Sequence, residues 1–203
     1  MIGVLDIGLS NKGSLNSALK NLNAKFKYCE KPEDFSDVRK IILPGVGNFN
    51  ECMKKLKSKK LDMSLKDNFD KQKPILGICL GYQILFEKSN EGEEVEGLGL
   101  LKGNFVNFNE VSDNVKIPHT GWNVCKIQQK SKLFQGVEDN SDFYFTHSYV
   151  LKNFSTKDIL TTTDYNIDFV SSVANNNLYG VQFHPEKSQI KGLKILKNFI
   201  NFC

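Results

Sequence analysis

The segment that most constrains the fold is a short apolar run, residues 74–76, which leads into Gly77-Ile78-Cys79-Leu80-Gly81. A cysteine between two glycines at the end of a predicted strand is typical of a sharp strand-to-helix turn. The flanking glycines permit the strained backbone and the close approach of neighbouring segments that such a turn needs. The segment therefore predicts an α/β fold in which Cys79 is presented at the carboxyl end of a strand.

Strand and helix signals alternate through the first half of the chain. Short apolar runs predict strands at residues 2–5, 41–43 and 75–78, and an alternating pattern predicts a strand at residues 25–29. Between them, apolar residues recur at helical spacing in two sets, which are Leu15, Ala18, Leu19 and Leu22, and Cys52, Met53 and Leu56. A further helix is predicted to begin at residues 83–86. This alternation predicts a parallel sheet with helices on both faces.

The second half of the chain is typical of antiparallel strands separated by polar turns. Strand-like segments lie at residues 105–108, 123–127, 143–145, 159–163, 169–174 and 178–183. The triplet Asn175-Asn176-Asn177 predicts a turn, and a C-terminal helix is expected to bury Leu193, Leu196, Phe199 and Ile200. We expect one domain over residues 1–203, with a central mixed, mostly parallel sheet and additional antiparallel strands in the second half.

Composition excludes several classes of function. The net charge of +4 comes almost entirely from lysine, because Arg39 is the only arginine. Specific nucleic-acid readers usually use arginine forks, so the lysines predict a solvated surface, and the run at residues 54–60 predicts the exposed face and end of a helix. We expect no nucleic-acid partner.

Hydropathy predicts neither a membrane span nor a secretion signal, and the cysteine spacing is typical of a protein in a reducing compartment. No apolar run approaches the roughly 20 residues that a membrane span needs, and residues 1–6 run straight into a turn without the pattern of a secretion signal. The five cysteines, Cys29, Cys52, Cys79, Cys125 and Cys203, are irregularly spaced. We expect a cytoplasmic protein with free thiols, no metal site, no cofactor and no membrane partner.

Cys79 has the surroundings that a nucleophilic thiol needs. The N–H groups and the dipole at the start of a following helix favour a thiolate. The N–H of Leu80 can point at an oxyanion. The alternative is a buried cysteine between two packing glycines.

His184 supplies the matching acid–base group. It follows the strand-like run 178–183 and precedes Pro185 and Glu186. A histidine there can act as a base towards Cys79, and Glu186 can orient the imidazole. The alternative for His184 is a capped loop residue. Cys79, His184 and Glu186 are the predicted catalytic triad.

Two longer segments carry a family resemblance. Residues 76–83 and 180–188 resemble the two signatures of class I (triad) glutamine amidotransferases. More narrowly, the chain resembles the glutaminase subunits of imidazole glycerol phosphate synthase in segments 43–47, 97–100, 116–119, 121–123 and 145–149, which occur in the family's order. The resemblance implies that Cys79 attacks the side-chain amide of L-glutamine, that ammonia leaves a γ-glutamyl thioester, and that water then releases glutamate.

The resemblance also implies further site residues. It implies an oxyanion hole formed by the backbone N–H groups of Leu80 and of Val46 or Gly47. It implies substrate-binding roles for Gln83, Ser148 and Tyr149. The alternative for residues 44–47 is an ordinary tight turn, and for Tyr149 it is a packed strand aromatic.

A partner is implied as well. The family delivers ammonia through an internal passage to a (β/α)8 cyclase/synthase subunit, which forms imidazole glycerol phosphate and AICAR in histidine biosynthesis. The resemblance implies such a heterodimer here, with His119, Trp122 and Asn123 facing the partner. From the sequence alone, a position in the core explains Trp122 equally well. A structural role is the alternative for His119. His147 is expected to shape the pocket, because it lacks the adjacent carboxylate of a base.

The N-terminal turn departs from the family pattern at Ile7, Leu9 and Ser10, where members typically carry tyrosine and Met-Gly. The alternative hypothesis is therefore that this chain is a specialised paralogue, which supplies ammonia for the amidination of a surface sugar. A non-catalytic regulatory subunit and a Cys–His hydrolase such as a peptidase are further alternatives. The intact triad argues against the regulatory subunit, and Gln83 argues against the peptidase.

Overall fold

The computed structural model describes residues 1–92 and 94–203. Its strands are β1 (Ile2–Leu5), β2 (Phe26–Cys29), β3 (Lys40–Gly45), β4 (Ile75–Cys79), β5 (Phe86–Ser89), β6 (Val95–Glu96), β7 (Leu101–Asn107), β8 (His119–Ile127), β9 (Ser141–His147), β10 (Tyr149–Lys152), β11 (Ile159–Asp164), β12 (Asp168–Asn175) and β13 (Leu178–Val181). Its α-helices are α1 (Lys12–Asn21), α2 (Phe49–Ser58), α3 (Leu61–Asp70), α4 (Leu80–Gln83) and α5 (Gln189–Phe202).

The central sheet is mixed and has the order β2-β1-β3-β4-β13-β12-β11-β8-β9. Strands β2, β1, β3, β4 and β13 are parallel, and the pairings from β13 to β9 are antiparallel. The expected mixed α/β sheet is confirmed, with its parallel part confined to one half. Because β3, β4 and β13 are parallel neighbours, their carboxyl ends meet at one edge, where open α/β sheets bind their ligands.

Helices cover both faces of this sheet. The buried residues of α1 and α5, which include Leu19 and Phe199, pack in one core. The buried residues of α2 and α3, which include Leu56 and Leu65, pack in a second core on the other side. The predicted apolar stripes are confirmed, although Leu22, Leu193 and Ile200 are only partly buried. Helix α3 was not predicted.

A second sheet, with the order β10-β7-β5-β6, was not anticipated as a separate layer. The helix predicted to begin at residues 83–86 is wrong, because α4 is a single turn and Phe86 begins β5. The N–H of Leu98 donates to the carbonyl of Ile84 at 2.8 Å, and the Phe86 ring packs edge-on to Phe105. These non-local contacts override the local helical pattern.

Two local predictions are confirmed. The β12–β13 hairpin pairs Asn175 with Leu178, and Asn176 between them has a positive φ of 51°, which asparagine tolerates better than most residues. The lysine run lies on α2 and just beyond it, with Lys54, Lys57 and Lys59 exposed.

Candidate active site

Cys79 ends β4 in a backbone conformation that L-residues rarely adopt, with φ 54° and ψ −109°. Glycines make the turn sterically possible. A Cβ on Gly81 would lie 1.6 Å from the carbonyl oxygen of Leu43, and a Cβ on Gly77 would lie 2.5 Å from that of Gly81. The sequence therefore folds locally into a strained turn that holds the Cys79 side chain at the edge of the sheet, 6% exposed.

The helix after Cys79 is shorter than the one expected from the sequence. The expected helix does follow Cys79, but α4 covers only Leu80–Gln83, so the dipole at its start is that of a single turn. The first-turn N–H groups of α4 remain available to the Cys79 side chain and to a ligand beside it.

His184 reaches the same edge from β13. Its backbone is held on both sides: its N–H donates to the carbonyl of Tyr144 at 2.8 Å, and the Ser188 hydroxyl donates to its carbonyl at 2.6 Å. Ser188 Oγ also accepts the N–H of Tyr144 at 3.0 Å, which closes the loop. Strand β9 and the segment after β13 therefore fix where the imidazole lies.

The His184 imidazole pairs with Glu186 through Nδ1 and Oε1, which lie 2.7 Å apart. The two side chains are 1% and 6% exposed. Burial lowers the pKa of His184, but the neighbouring Cys79 and the Glu186 carboxylate raise it more, so the net pKa lies above its usual value. Nε2 is buried and has no hydrogen-bond partner within residues 1–92 and 94–203. This nitrogen is the one left for proton transfer.

A cavity of about 240 Å³ opens in front of Cys79. Its wall is formed by Val46, Gly47, Cys79, Leu80, Gln83, Glu91, Pro118, Thr146, His147, Ser148 and Tyr149. The structure thus brings together the predicted nucleophile, oxyanion and substrate-binding residues, and His147 lines the cavity as expected. The volume lies just below the roughly 300–1,000 Å³ of clefts for drug-sized ligands, which suits a molecule as small as an amino acid.

The loop after β3 carries a specific restraint. The N–H of Val46 donates to the carbonyl of Leu9 at 2.9 Å, so it is not available to a ligand in this conformation. Gly47 follows with a φ of 102°, a value that favours glycine. The alternative was that residues 44–47 form only an ordinary tight turn. It does not describe the whole segment, because Pro44 and Gly45 continue β3 and pair with Ile78 and Cys79.

Sequence reasoning missed Glu91. Glu91 is one of the residues that line the cavity, and its Oε2 accepts the backbone N–H of Phe49 at 2.8 Å. This contact ties the Glu91 loop to the start of α2. A single acidic residue in a polar turn gives no sequence signal, because only the fold brings it opposite Cys79.

The three residues expected at a partner surface differ in exposure. Trp122 is 49% exposed, so the alternative that it is a core residue is wrong. His119 is 2% exposed and hydrogen-bonds to His147, which favours its structural alternative. Asn123 is partly buried, and its amide donates to the carbonyl of Asp164 at 2.9 Å.

The described residues contain neither a candidate metal centre nor a candidate membrane-spanning helix. Within the part of the chain that the structure describes, no group of three or more His, Cys, Asp or Glu side chains could hold a metal ion. No helix in that part is long and apolar enough to cross a membrane.

Comparisons with known proteins agree with this geometry. Imidazole glycerol phosphate synthase subunit HisH of Pyrococcus furiosus is 44% identical over 199 residues, covering 98% of this chain and 97% of that protein. Subunit HisH 2 of Methanococcus maripaludis is 42% identical over 201 residues and 98% of each chain. A chain in the solved structure of PurLQS from Thermotoga maritima has the same fold, with a TM-score of 0.77, 19% identity, and coverage of 99% of this chain and 97% of that one.

The family assignment follows from a match over nearly the whole chain. The model of the class-I glutamine amidotransferases matches residues 3–202, which include the Cys79 turn and the segment of His184 and Glu186. This chain therefore belongs to the class-I glutamine amidotransferase family.

Proposed function

We propose that this chain is the glutaminase subunit of an imidazole glycerol phosphate synthase, and that residues 1–203 form one amidotransferase domain. The observation that carries the proposal is the meeting of Cys79 with the His184–Glu186 pair at adjacent strand ends, behind a small cavity. The two relatives named as HisH support the choice of synthase.

The proposed chemistry begins at the Cys79 sulfur. The thiolate attacks the side-chain amide carbon of L-glutamine, and the carbonyl electrons move onto oxygen. His184 then gives its Nε2 proton to the amide nitrogen, so ammonia leaves as the carbonyl re-forms in a γ-glutamyl thioester. Water attacks the thioester while Nε2 accepts its proton, and glutamate and the Cys79 thiolate are released. Glu186 holds Nδ1 throughout, which keeps Nε2 towards the reacting atoms.

The oxyanion of each tetrahedral intermediate needs backbone donors. We assign Leu80 and the 46–47 peptides to this role. Because the Val46 N–H is bonded to the Leu9 carbonyl, it can contribute only after that bond breaks, and otherwise Gly47 must supply the second donor. Losing one oxyanion donor costs about 10²–10³ in rate in well-studied hydrolases. We therefore expect little glutaminase activity from the isolated chain.

The cavity wall offers groups for the rest of the substrate. We assign contacts with glutamine to Gln83, Ser148 and Tyr149, which line the cavity, and we assign its α-ammonium group to Glu91, whose carboxylate carries the opposite charge. The nucleophile needs a carbonyl carbon with a leaving nitrogen, which the side-chain amide provides. The substrate class is therefore an α-amino acid with a terminal carboxamide.

The ammonia has to reach its acceptor before water protonates it, so we propose a heterodimer with a (β/α)8 cyclase/synthase subunit. The half-exposed Trp122 is suited to such an interface, because partly exposed aromatic residues often anchor protein–protein contacts. Under this proposal the complex channels ammonia into histidine biosynthesis in the cytoplasm.

The sugar-amidinating alternative gains no support. The relatives carry HisH names, and the contact that Leu9 makes with Val46 uses its backbone carbonyl, which a different side chain at position 9 does not remove. The intact Cys79, His184 and Glu186 also argue against a non-catalytic regulatory subunit.

Genetic complementation tests the proposal. A bacterial histidine auxotroph that lacks its own glutaminase subunit is grown on low ammonium with this chain and its cognate barrel subunit. Growth without histidine is expected for the wild type and not for Cys79→Ala. Failure of the wild-type pair to restore growth, when both proteins are expressed and associated, would overturn the histidine-pathway assignment.

A further inference from the structure

Gln182 occupies a place in the site that the proposed mechanism does not use. It lies between the end of β13 and His184, is 1% exposed, and donates its backbone N–H to the carbonyl of Ser171 at 2.9 Å. A buried carboxamide is costly unless its oxygen and nitrogen are both hydrogen-bonded. The side chain meets this requirement inside the site, between Gln83 and Cys79.

The two contacts of the Gln182 amide are directional. Gln83 Nε2 donates to Gln182 Oε1 at 3.1 Å, and Gln182 Nε2 lies 3.8 Å from Cys79 Sγ. An amide nitrogen only donates and an amide oxygen only accepts. The hydrogen bond from Gln83 therefore turns the donor end of Gln182 towards the sulfur.

The ionisation state of Cys79 decides whether that donor matters. As a thiol, Cys79 donates to the carbonyl of Thr146, which lies 3.7 Å from Sγ. As a thiolate it has no proton to donate, and it faces the carbonyl dipole of Thr146. Donors must then offset this repulsion, and the single turn of α4 supplies less than a full helix would. Gln182 Nε2 is a neutral donor already directed at the sulfur.

On the proposed role of Cys79 as nucleophile, we propose that Gln182 is a further catalytic residue: its side-chain N–H stabilises the Cys79 thiolate, and Gln83 fixes the orientation of that N–H. The pair thus forms a short relay, Gln83 to Gln182 to Cys79. Gln83 has a second task under this proposal, besides contacting the substrate.

Other titratable groups surround Cys79 and stay unchanged in the test. They are His184 with Glu186 behind it, and Glu91, His147 and Tyr149 on the cavity wall. A difference between the wild type and the uncharged variant Gln182→Met therefore reports on the Gln182 amide and not on these groups.

The test is the rate at which iodoacetamide alkylates Cys79, measured as a function of pH in the full chain without glutamine. This rate follows the fraction of Cys79 that is thiolate. Peptide mass spectrometry distinguishes Cys79 from the other cysteines. Gln182→Met removes the donor without adding charge and is the decisive variant. Gln182→Glu keeps the size of the side chain and replaces the donor with an acceptor, but its new carboxylate also repels the thiolate. We expect the alkylation midpoint to rise by about one pH unit or more in both, with roughly tenfold slower alkylation at pH 7.

Gln83→Glu tests the orientation. A carboxylate at position 83 repels Gln182 Oε1 and favours the flipped amide, whose oxygen then faces the sulfur. The midpoint is expected to rise in Gln83→Glu, and not to rise further when Gln83→Glu is added to Gln182→Met. An effect that acts through the Gln182 amide needs that amide, whereas direct repulsion by the new carboxylate does not. Gln135→Glu, at an exposed position, is the matched control and should not shift it.

The outcomes separate this inference from the proposed function. Unchanged midpoints in folded Gln182→Met or Gln182→Glu would overturn the role of Gln182, even if Cys79 stays reactive and glutamine is hydrolysed. A shift in Gln182→Met without one in Gln83→Glu, or a Gln83→Glu shift that persists in the Gln182→Met background, would overturn the relay. If wild-type Cys79 is inert at every pH while glutamine is still hydrolysed, the nucleophile assignment itself fails.

Discussion

His119 Nδ1 lies 3.0 Å from His147 Nε2 in the interior, beside the cavity that contains Cys79. His147 Nδ1 lies 2.9 Å from the carbonyl oxygen of Tyr149, so Nδ1 must carry the proton of His147. His147 Nε2 then accepts from His119, whose Nε2 accepts from the Asn123 amide at 3.2 Å. Both imidazoles are therefore neutral, and the chain of hydrogen bonds fixes one tautomer of each.

This pair predicts acid sensitivity of the fold. Burial lowers the pKa of His147 to about 3 and that of His119 to about 4. A histidine in an unfolded chain has a pKa near 6.5. Below that pH the unfolded state therefore binds protons that the folded state does not bind. We expect each histidine to lower the free energy of unfolding by about 2 kcal/mol between pH 8 and pH 5, measured by urea denaturation.

The double variant His119→Leu with His147→Leu is the comparison for this prediction. Because His184 contributes equally in both proteins, the fall in the free energy of unfolding from pH 8 to pH 5 should be smaller in the double variant by about 4 kcal/mol, the sum of the two contributions. A pH dependence as steep as that of the wild type would contradict the assignment of the acid sensitivity to this pair.

Backbone strain at Cys79 predicts an unusual order of stability. At φ 54° and ψ −109°, alanine is strained and glycine is not, so Cys79→Gly should be more stable than Cys79→Ala by about 1 kcal/mol in denaturant unfolding. Cys125, a buried residue of β8 without a positive φ, is the matched control, and there glycine should be the less stable variant. The same order at both positions would contradict the strain.

The sequence indicated those features that depend on local pattern. The apolar runs located β1 and β4, and the glycines around Cys79 predicted the strained turn because close backbone approach requires them. The pairing of His184 with Glu186 was predicted from their adjacency in the chain, and the 2.7 Å contact agrees with it.

Features that depend on non-local contacts were not predictable. Strand β5 replaced an expected helix because its neighbours in space come from segment 98–105, and no local signal reveals them. Glu91 reached the cavity through a contact with the start of α2, and the bond between Val46 and Leu9 joins two loops far apart in the chain. The exposure of Trp122 could be decided only by the position of β8 at the surface.

Glu91 is predicted to bind the α-ammonium group of glutamine. Glu91→Gln keeps an oxygen that can accept the Phe49 N–H but removes the charge. We expect KM for glutamine to rise about 10- to 100-fold, with a much smaller change in kcat, in steady-state assays of the complex. An unchanged KM would show that the carboxylate does not contact the substrate.

Trp122 is predicted to anchor the barrel subunit. Trp122→Ala should weaken the complex about 30-fold or more in a binding titration, without loss of folding stability, because the side chain is half exposed. Met63→Ala is the matched control, since Met63 is 68% exposed on α3, and it should change the affinity by less than about twofold. Equal effects of the two substitutions would contradict an anchor at Trp122.

Glutamate formation by the assembled complex, compared between the wild type and Cys79→Ala, tests the central claim most directly. Cys79→Ala should still bind the barrel subunit, and its glutamate formation from glutamine should fall to the uncatalysed background, because among the described residues no other cysteine lines the cavity. Glutamate formation by Cys79→Ala at a rate comparable to that of the wild type would contradict the account.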